Sequence, residues 1–156
     1  MTIGEKCILC LATGCFMGNV PLMPGTIGSL WGLPCAFFLS QIDLWIAILL
    51  TVALILIAVW VAHESEKIFK KKDPGCIVID EISGMVVTLL GHSYDLFTVS
   101  AGFILFRMID ILKPFPIRRI ETALPGGFGV VLDDIAAGFI SNVVLHLVLV
   151  IFDFSG

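Results

Sequence analysis

Charge is what this sequence has least of. Only 14% of its 156 residues are Asp, Glu, Lys or Arg, against about 25% in ordinary soluble domains. Hydrophobic residues make up 58%, and the mean hydropathy is +1.07. That balance excludes a soluble globular domain and implies an integral membrane protein. Cationic excess is missing too: the formal net charge is −4, which argues against nucleic acid as a partner, because that electrostatic footprint is basic. The five cysteines offer no metal framework. Cys7 and Cys10 form a lone CxxC in an apolar run, and no second Cys or His pair completes a zinc site. With no secretory n-region and cleavage site, the odd cysteine count reads as membrane-helix packing. A single domain, 1–156, is expected at this length.

What is present is apolar helix. Leu44 to Ala62 has only Thr51 outside the apolar set, and at about 1.5 Å rise per residue it can cross a hydrocarbon core of about 30 Å. Ile135 to Phe152 carries no formal charge and is interrupted by Ser141, Asn142 and His146. The other candidate helices are broken or charged: Ile27 to Ser40 holds Gly28, Gly32 and Pro34, Ile77 to Leu90 holds Asp80 and Glu81, and Leu96 to Ile109 holds Arg107. Such segments are tolerated when they pack against protein around a polar cavity. Cys7 to Met23 is a short span, a re-entrant helix or an interfacial one. The fold class expected is all-α: a polytopic membrane helical bundle whose short, Gly- and Pro-broken helices surround a polar site.

The scarce charges fall in a few short blocks: Asp73 to Glu81, Arg107 to Lys113, Arg118 to Glu121, and Asp133-Asp134. Ionisable groups at membrane depth cost about 2.5–3.5 kcal/mol each on insertion scales and are functional candidates by default. The dense cationic segments are Lys67 to Lys72 and Lys113 with Arg118-Arg119, so both are expected on the cytoplasmic side. The alternation that follows brings His63, Asp73, Asp80, Glu81, Arg107, Asp110, Lys113, Asp133, Asp134 and the Gly25 turn to that same face. Lys70 to Lys72 reads as a plain positive-inside anchor or as a recruiter of anionic lipid, and Arg118-Arg119 with Glu121 as a solvated amphipathic turn or a headgroup-binding rim. Trp31, Trp45 and Trp60 are expected at interfaces and in packing. Asp43 and Asp153 fall at span ends on the outer side.

Local spacing sharpens the site. Arg107, Asp110 and Lys113 are three apart and share one helical face, with Pro114 and Pro116 ending the helix. Asp80 and Gly84 lie one turn apart, and Gly84 admits close approach of another backbone. Asp134, Gly138, Asn142 and His146 form an i, i+4 stripe expected to face the interior. Asp133-Asp134 follows the flexible turn Gly126-Gly127, where carboxylates in a first helical turn would also complement the dipole. Gly25-Thr26-Ile27-Gly28-Ser29 is either ordinary helix capping or a phosphate contact at a helix N-terminus.

Taken in order, Pro24-Gly25-Thr26-Ile27-Gly28-Ser29, Asp73 with Ile77-Val78-Ile79-Asp80-Glu81 and Gly84-Met85, Phe106-Arg107 with Asp110 and Lys113-Pro114, Pro116-Ile117, and Gly126-Gly127 with Asp133-Asp134 and Ala137-Gly138 resemble the bacterial phosphatidylglycerophosphatase A family. The resemblance spans Pro24 to Ser141. It implies a multi-pass inner-membrane, Mg²⁺-dependent lipid phosphatase that converts phosphatidylglycerophosphate, its phospholipid substrate, to phosphatidylglycerol. The matching positions suggest Asp80, Glu81, Asp133 and Asp134 as metal ligands, with Asp110 close behind. Arg107 and Lys113 are the expected cations on the transferring phosphoryl group, with Thr26 and Ser29 as further phosphate contacts. Asn142 and His146 are not family positions, and His63 matches one less securely.

Hard oxygen ligands suit Mg²⁺, and metal-assisted attack of water on the phosphoryl group is the chemistry these residues permit, with an aspartyl-phosphate intermediate ranked below it. The DxDxT signature of aspartate-nucleophile phosphatases is absent, as are a Pro-Ser-Gly-His block and a Cys-x5-Arg loop. Two other classes bury carboxylates in a membrane. A transporter would show an inverted repeat with polar groups at the midplane. A CDP-alcohol transferase would show an Asp-Gly, Ala-Arg and later paired-aspartate pattern that cannot be laid on this chain.

Overall fold

The structure, a computed structural model, describes residues 1–20, 23–71, 74–115, 117–119 and 126–154. Lys72, Asp73, Pro116, Glu121 and the side chain of Asp153, singled out above, lie outside the described residues. Every regular element among the described residues is helical. The long elements are α1 (Ile3–Ala12), α2 (Pro24–Ser40), α3 (Leu44–Phe69), α4 (Ile79–Leu89), α5 (Leu96–Leu112) and α6 (Gly127–Phe154), with a short 3₁₀ turn at Met17–Asn19.

Capping side chains set several of the starts. Thr2 Oγ1 accepts from the Glu5 N–H at 3.2 Å while Glu5 Oε2 accepts from the Thr2 N–H at 2.8 Å, a reciprocal capping box. Asp43 Oδ1 accepts from the Trp45 N–H at 2.9 Å and opens α3. Asp95 opens α5 by accepting from the Thr98 N–H, the Thr98 hydroxyl and the Ser93 hydroxyl. Those bonds, led by the Thr98 N–H, hold its carboxyl down at about 2.

Two helices are long and apolar enough to cross a membrane by length and composition, over Leu44–Phe69 and Gly127–Phe152. On α3, Leu49 and Leu56 are 68% and 67% exposed, so the helix turns apolar side chains outward. By contrast α1, with 10 residues, and α4, with 11, reach only about 15–17 Å at 1.5 Å per residue. That is half the hydrocarbon thickness, so the stretch from Cys7 to Met23 contains no spanning helix among its described residues.

Although short, α4 is the central element, with nine of its residues buried: Ile79, Asp80, Ile82, Ser83, Gly84, Met85, Val86, Thr88 and Leu89. Glycines let its neighbours in. A Cβ on Gly28 would stand 2.8 Å from Val78 Cβ, one on Gly32 2.7 Å from Met85 Cβ, and one on Gly102 of α5 2.8 Å from Leu89 Cδ2. On the α6 side Gly138 lies directly against the Gly84 carbonyl. The pairings fix the directions: α2, α4 and α6 run the same way, and α5 and α3 run against them. One end of the molecule therefore gathers the N-termini of α2, α4 and α6 with the C-terminal ends of α3 and α5. The apolar interior behind it falls into two clusters, Ala58, Val59, Val61, Ala62, Ile79 and Val131 in one and Met85, Leu89, Phe106, Ala137 and Leu145 in the other.

Two sequence expectations about α6 change. The helix begins at Gly127, not near Asp133, because Gly127 packs bare backbone against Val59 and His63 of α3, where a Cβ would stand 2.5 Å from the His63 nitrogen. Asp133 and Asp134 thus lie in the second turn, beyond the helix end that a dipole argument needs. The interior stripe also ends early: His146 is exposed. A four-residue step overshoots a 3.6-residue turn by about 40°, and three such steps carry the stripe from the α4 face to the outside.

Asn142, still on the inner side, has a definite task. Its Nδ2 donates to the carbonyls of Val87, Thr88 and Leu90 at 3.0, 3.0 and 2.9 Å, satisfying the otherwise open C-terminal end of α4. Asn142→Leu is expected to cost about 1–3 kcal/mol, the usual penalty for stranded polar groups, read as a lower thermal midpoint in detergent. Turnover per folded molecule should be retained, since Asn142 lies two turns, about 12 Å, beyond Asp134 along α6.

Candidate active site

The site is built where α4 begins. The Val78 N–H donates to the Ala12 carbonyl at 2.8 Å, and Gly18 lies against the Cys76 carbonyl, so the chain entering α4 is pinned from two sides. Asp80 and Glu81 then occupy the first turn of α4, where the positive end of the helix dipole favours carboxylates. Asp134 reaches them from α6, because the Gly84–Gly138 crossing brings the two helices together one turn further along. A Cβ at Gly84 would stand 2.8 Å from the Asp134 carbonyl oxygen and 2.6 Å from the Phe106 ring. One side-chain oxygen from each of Asp80, Glu81 and Asp134 lies within 4.8 Å of the others.

These three carboxylates line a cavity of about 210 Å³ together with Asp110, Lys113 and Asp133, and with Pro24, Gly75, Ile77, Gly129 and Val130. Two ion pairs border the cluster. Arg107 Nη1 donates to Asp110 Oδ2 at 2.6 Å within α5. Lys113 Nζ donates to Asp133 Oδ2, also at 2.6 Å, from α5 to α6. Lys113 is the C-cap of α5 with φ 42°. Asp133 Oδ1 in turn accepts from the Asp134 N–H at 3.0 Å.

Seven of the residues expected from the sequence therefore meet: Asp80, Glu81, Arg107, Asp110, Lys113, Asp133 and Asp134. Their pairing is more particular than the sequence indicated. Asp133, read as a metal ligand, lines the cavity with its carboxylate turned to Lys113 and stands outside the three-carboxylate cluster. Ser29, read as a phosphate contact, is fully buried inside α2. Its hydroxyl donates to the Gly25 carbonyl at 2.8 Å, and its oxygen lies 3.5 Å from Arg107 Nη1. Thr26 is half-buried and is not among the residues lining the cavity. His63 lies against Gly126 and Gly127, at the start of α6.

Sequence reasoning missed the part played by Gly25. A Cβ there would stand 2.6 Å from Glu81 Oε1 and 3.1 and 3.2 Å from the two Arg107 terminal nitrogens. The residue supplies room for a carboxylate and a guanidinium against the α2 backbone. The signal was available in the spacing of Gly25, Gly28 and Gly32, which puts all three on the helix face that meets α4.

The donor set is all oxygen, which suits a hard divalent cation such as Mg²⁺. Glu81 Oε2 is also buried with no hydrogen-bond partner among the described residues, a costly state for a carboxylate oxygen unless something else satisfies it. The residues present fit such a cation, which Asp80, Glu81 and Asp134 could hold.

An all-helical chain with membrane-grade helices and a clustered-carboxylate cavity bordered by two paired cations belongs to the class of membrane-type helical proteins with an acidic, metal-competent site. Comparison with known proteins narrows this. The sequence profile described as phosphatidylglycerophosphatase A matches residues 10–149. The chain is 37% identical over 139 residues to phosphatidylglycerophosphatase A of Escherichia coli (strain K12), covering 88% of this chain and 81% of that protein. It is 34% identical over 140 residues to the protein of the same name in Haemophilus influenzae (strain ATCC 51907), with 88% and 86% covered. A Bacteroides thetaiotaomicron relative whose provisional name is phosphatidylinositol-3-phosphatase is 33% identical over 145 residues, with 86% and 89% covered. The chain belongs to the phosphatidylglycerophosphatase A family. No solved structure matches it at a significant level.

Proposed function

We propose that this protein hydrolyses the terminal phosphate of phosphatidylglycerophosphate, giving phosphatidylglycerol and phosphate, by Mg²⁺-assisted attack of water. Family membership supports a lipid phosphatase. The observation that carries the chemistry is the convergence of Asp80, Glu81 and Asp134 within 4.8 Å, with Lys113 lining the same cavity and Arg107 paired to its Asp110. A divalent cation bound there would polarise the phosphoryl oxygens and make the attacking water more acidic.

The chain's own residues supply the rest. Arg107 is pre-oriented by Asp110, with the Ser29 oxygen near its Nη1, so its planar fork is aimed without loss of side-chain freedom in the reaction. Its Nε is buried without a hydrogen-bond partner among the described residues and has donor capacity left for a phosphoryl oxygen. Lys113 offers a point charge from the cavity wall. Asp110 lines the cavity where it can orient the water. In this reading the helices cross the bacterial inner membrane several times, with the cavity and the Lys67–Lys71 segment on the cytoplasmic side.

The decisive assay offers phosphatidylglycerophosphate beside phosphatidic acid, phosphatidylinositol 3-phosphate and a soluble phosphomonoester in detergent with Mg²⁺. Preferential release from the first supports the assignment. Equal rates on all four would leave only a general phosphatase, and no release from any would return a transporter to first place. The phosphoinositide is included because of the Bacteroides relative's name. Orientation has its own check: single cysteines at Lys71 and Arg119, in a background lacking native cysteines, should resist an impermeant thiol reagent in intact cells. Labelling of either from outside would overturn the cytoplasmic placement.

Arg107→Lys is expected to lower turnover at least about tenfold although the charge is kept, because a lysine cannot hold Asp110 and a phosphoryl oxygen in one fixed fork. Wild-type kcat in this variant would make Arg107 a structural partner of Asp110 alone.

A further inference from the structure

Both cations of the site are already engaged. Lys113 and Arg107 each sit 2.6 Å from a carboxylate oxygen, and Asp133 and Asp110 line the same cavity as Asp80, Glu81 and Asp134. Formally that is five carboxylates against two cations. A phosphomonoester arriving with close to two further negative charges would face net repulsion unless positive charge came with it. The two pairs are not equivalent. Arg107–Asp110 lies within one helix, with side chains 16% and 12% exposed. Lys113–Asp133 joins two elements, and the lysine side chain is 29% exposed at the cavity wall, so it can swing without moving backbone.

We propose, resting on the phosphatase reading above, that the Lys113–Asp133 pair couples phosphate binding to metal binding: phosphate draws Lys113 off Asp133, and the released carboxylate adds its charge to the site for the divalent cation. No bond is made or broken; one ion pair is exchanged for two new contacts. The coupling is reciprocal by thermodynamic necessity, so the factor by which phosphate tightens the cation equals the factor by which the cation tightens phosphate. In the substrate-free site the pair has the opposite effect, holding Asp133 away from the cation.

The test is a binding measurement on the full-length protein in detergent, with Mn²⁺ as a paramagnetic probe titrated with and without inorganic phosphate. Wild type should bind Mn²⁺ about tenfold more tightly with phosphate present, within the usual range of such couplings. Lys113→Gln should bind it more tightly than wild type without phosphate, and phosphate should add little. Asp133→Asn should bind phosphate-free Mn²⁺ much as wild type does and lose the enhancement. Lys113→Arg, which keeps a cation on Asp133, guards against a folding defect in the glutamine variant and should retain coupling. Mn²⁺ affinity in wild type that does not respond to phosphate, or Lys113→Gln binding no more tightly than wild type, overturns the proposal. Parallel lipid assays separate the two readings: phosphate release without coupling removes this inference alone, whereas neither release nor Mn²⁺ binding removes the phosphatase assignment with it.

Discussion

Asp80→Asn, Glu81→Gln and Asp134→Asn are each expected to lower turnover at least about 100-fold in a protein that still folds. A change of that size corresponds to about 2.7 kcal/mol of transition-state stabilisation, a modest share of what a correctly held cation contributes. The three changes are nearly isosteric, and each removes an ionisable carboxylate from a cluster whose oxygens crowd within 4.8 Å, so any mutual repulsion falls and stability should hold or rise. That combination, activity lost while the thermal midpoint holds or rises, is the signature of a site that stores repulsion for a cation to relieve. Chelation of the wild type should abolish turnover and Mg²⁺ restore it, and Mg²⁺ should raise the wild-type midpoint more than that of any of the three variants. Full activity in excess chelator, or near-wild-type turnover in all three, would contradict the assignment.

Gly138→Leu should be the most damaging change on the α4–α6 face. Gly138 lies against the Gly84 carbonyl, and that same carbonyl accepts from the Thr88 hydroxyl at 2.9 Å, so neither backbone nor hydroxyl has room to retreat. A leucine must push α6 off α4. Overpacking of a close crossing costs about 1–3 kcal/mol and more when backbone is the obstacle, and only about 5–15 kcal/mol separates most folded domains from their unfolded chains. Because Asp134 and Asp80 stand one turn before Gly138 and Gly84, the same displacement would spread the carboxylate cluster. The expected result is aggregation on extraction, or a folded remnant with less than about 1% of wild-type turnover. Val143→Leu, at an exposed position on the same helix, is the control and should be silent. A stable, active Gly138→Leu protein would show that the crossing does not hold the site together.

Much of the candidate site was legible because its residues are anomalous where they occur. Asp80, Glu81, Asp133 and Asp134 are costly in so apolar a chain, and the three-residue spacing of Arg107, Asp110 and Lys113 puts them on one helical face whatever the helix packs against. Gly84 read correctly as a point of close approach for the same reason: a missing side chain in a helix leaves a notch. Helix starts were less legible. Gly126-Gly127 looked like a turn, yet α6 begins at Gly127, because the energetic gain of laying bare backbone on Val59 and His63 is tertiary and leaves no local trace.

The sequence alone determined the membrane-grade composition, the all-helical class, the family and the identity of the charged residues, since each depends on residue type and short-range spacing. Tertiary structure alone decided which partner each charge takes. Asp133 goes to Lys113 instead of the carboxylate cluster, Ser29 turns inward to Gly25 and lies near Arg107, and Gly25 gives its missing side chain's space to Glu81 and Arg107. Those assignments depend on how α2, α5 and α6 cross α4, and a crossing is set by side-chain volume on two helices at once, which no single segment encodes.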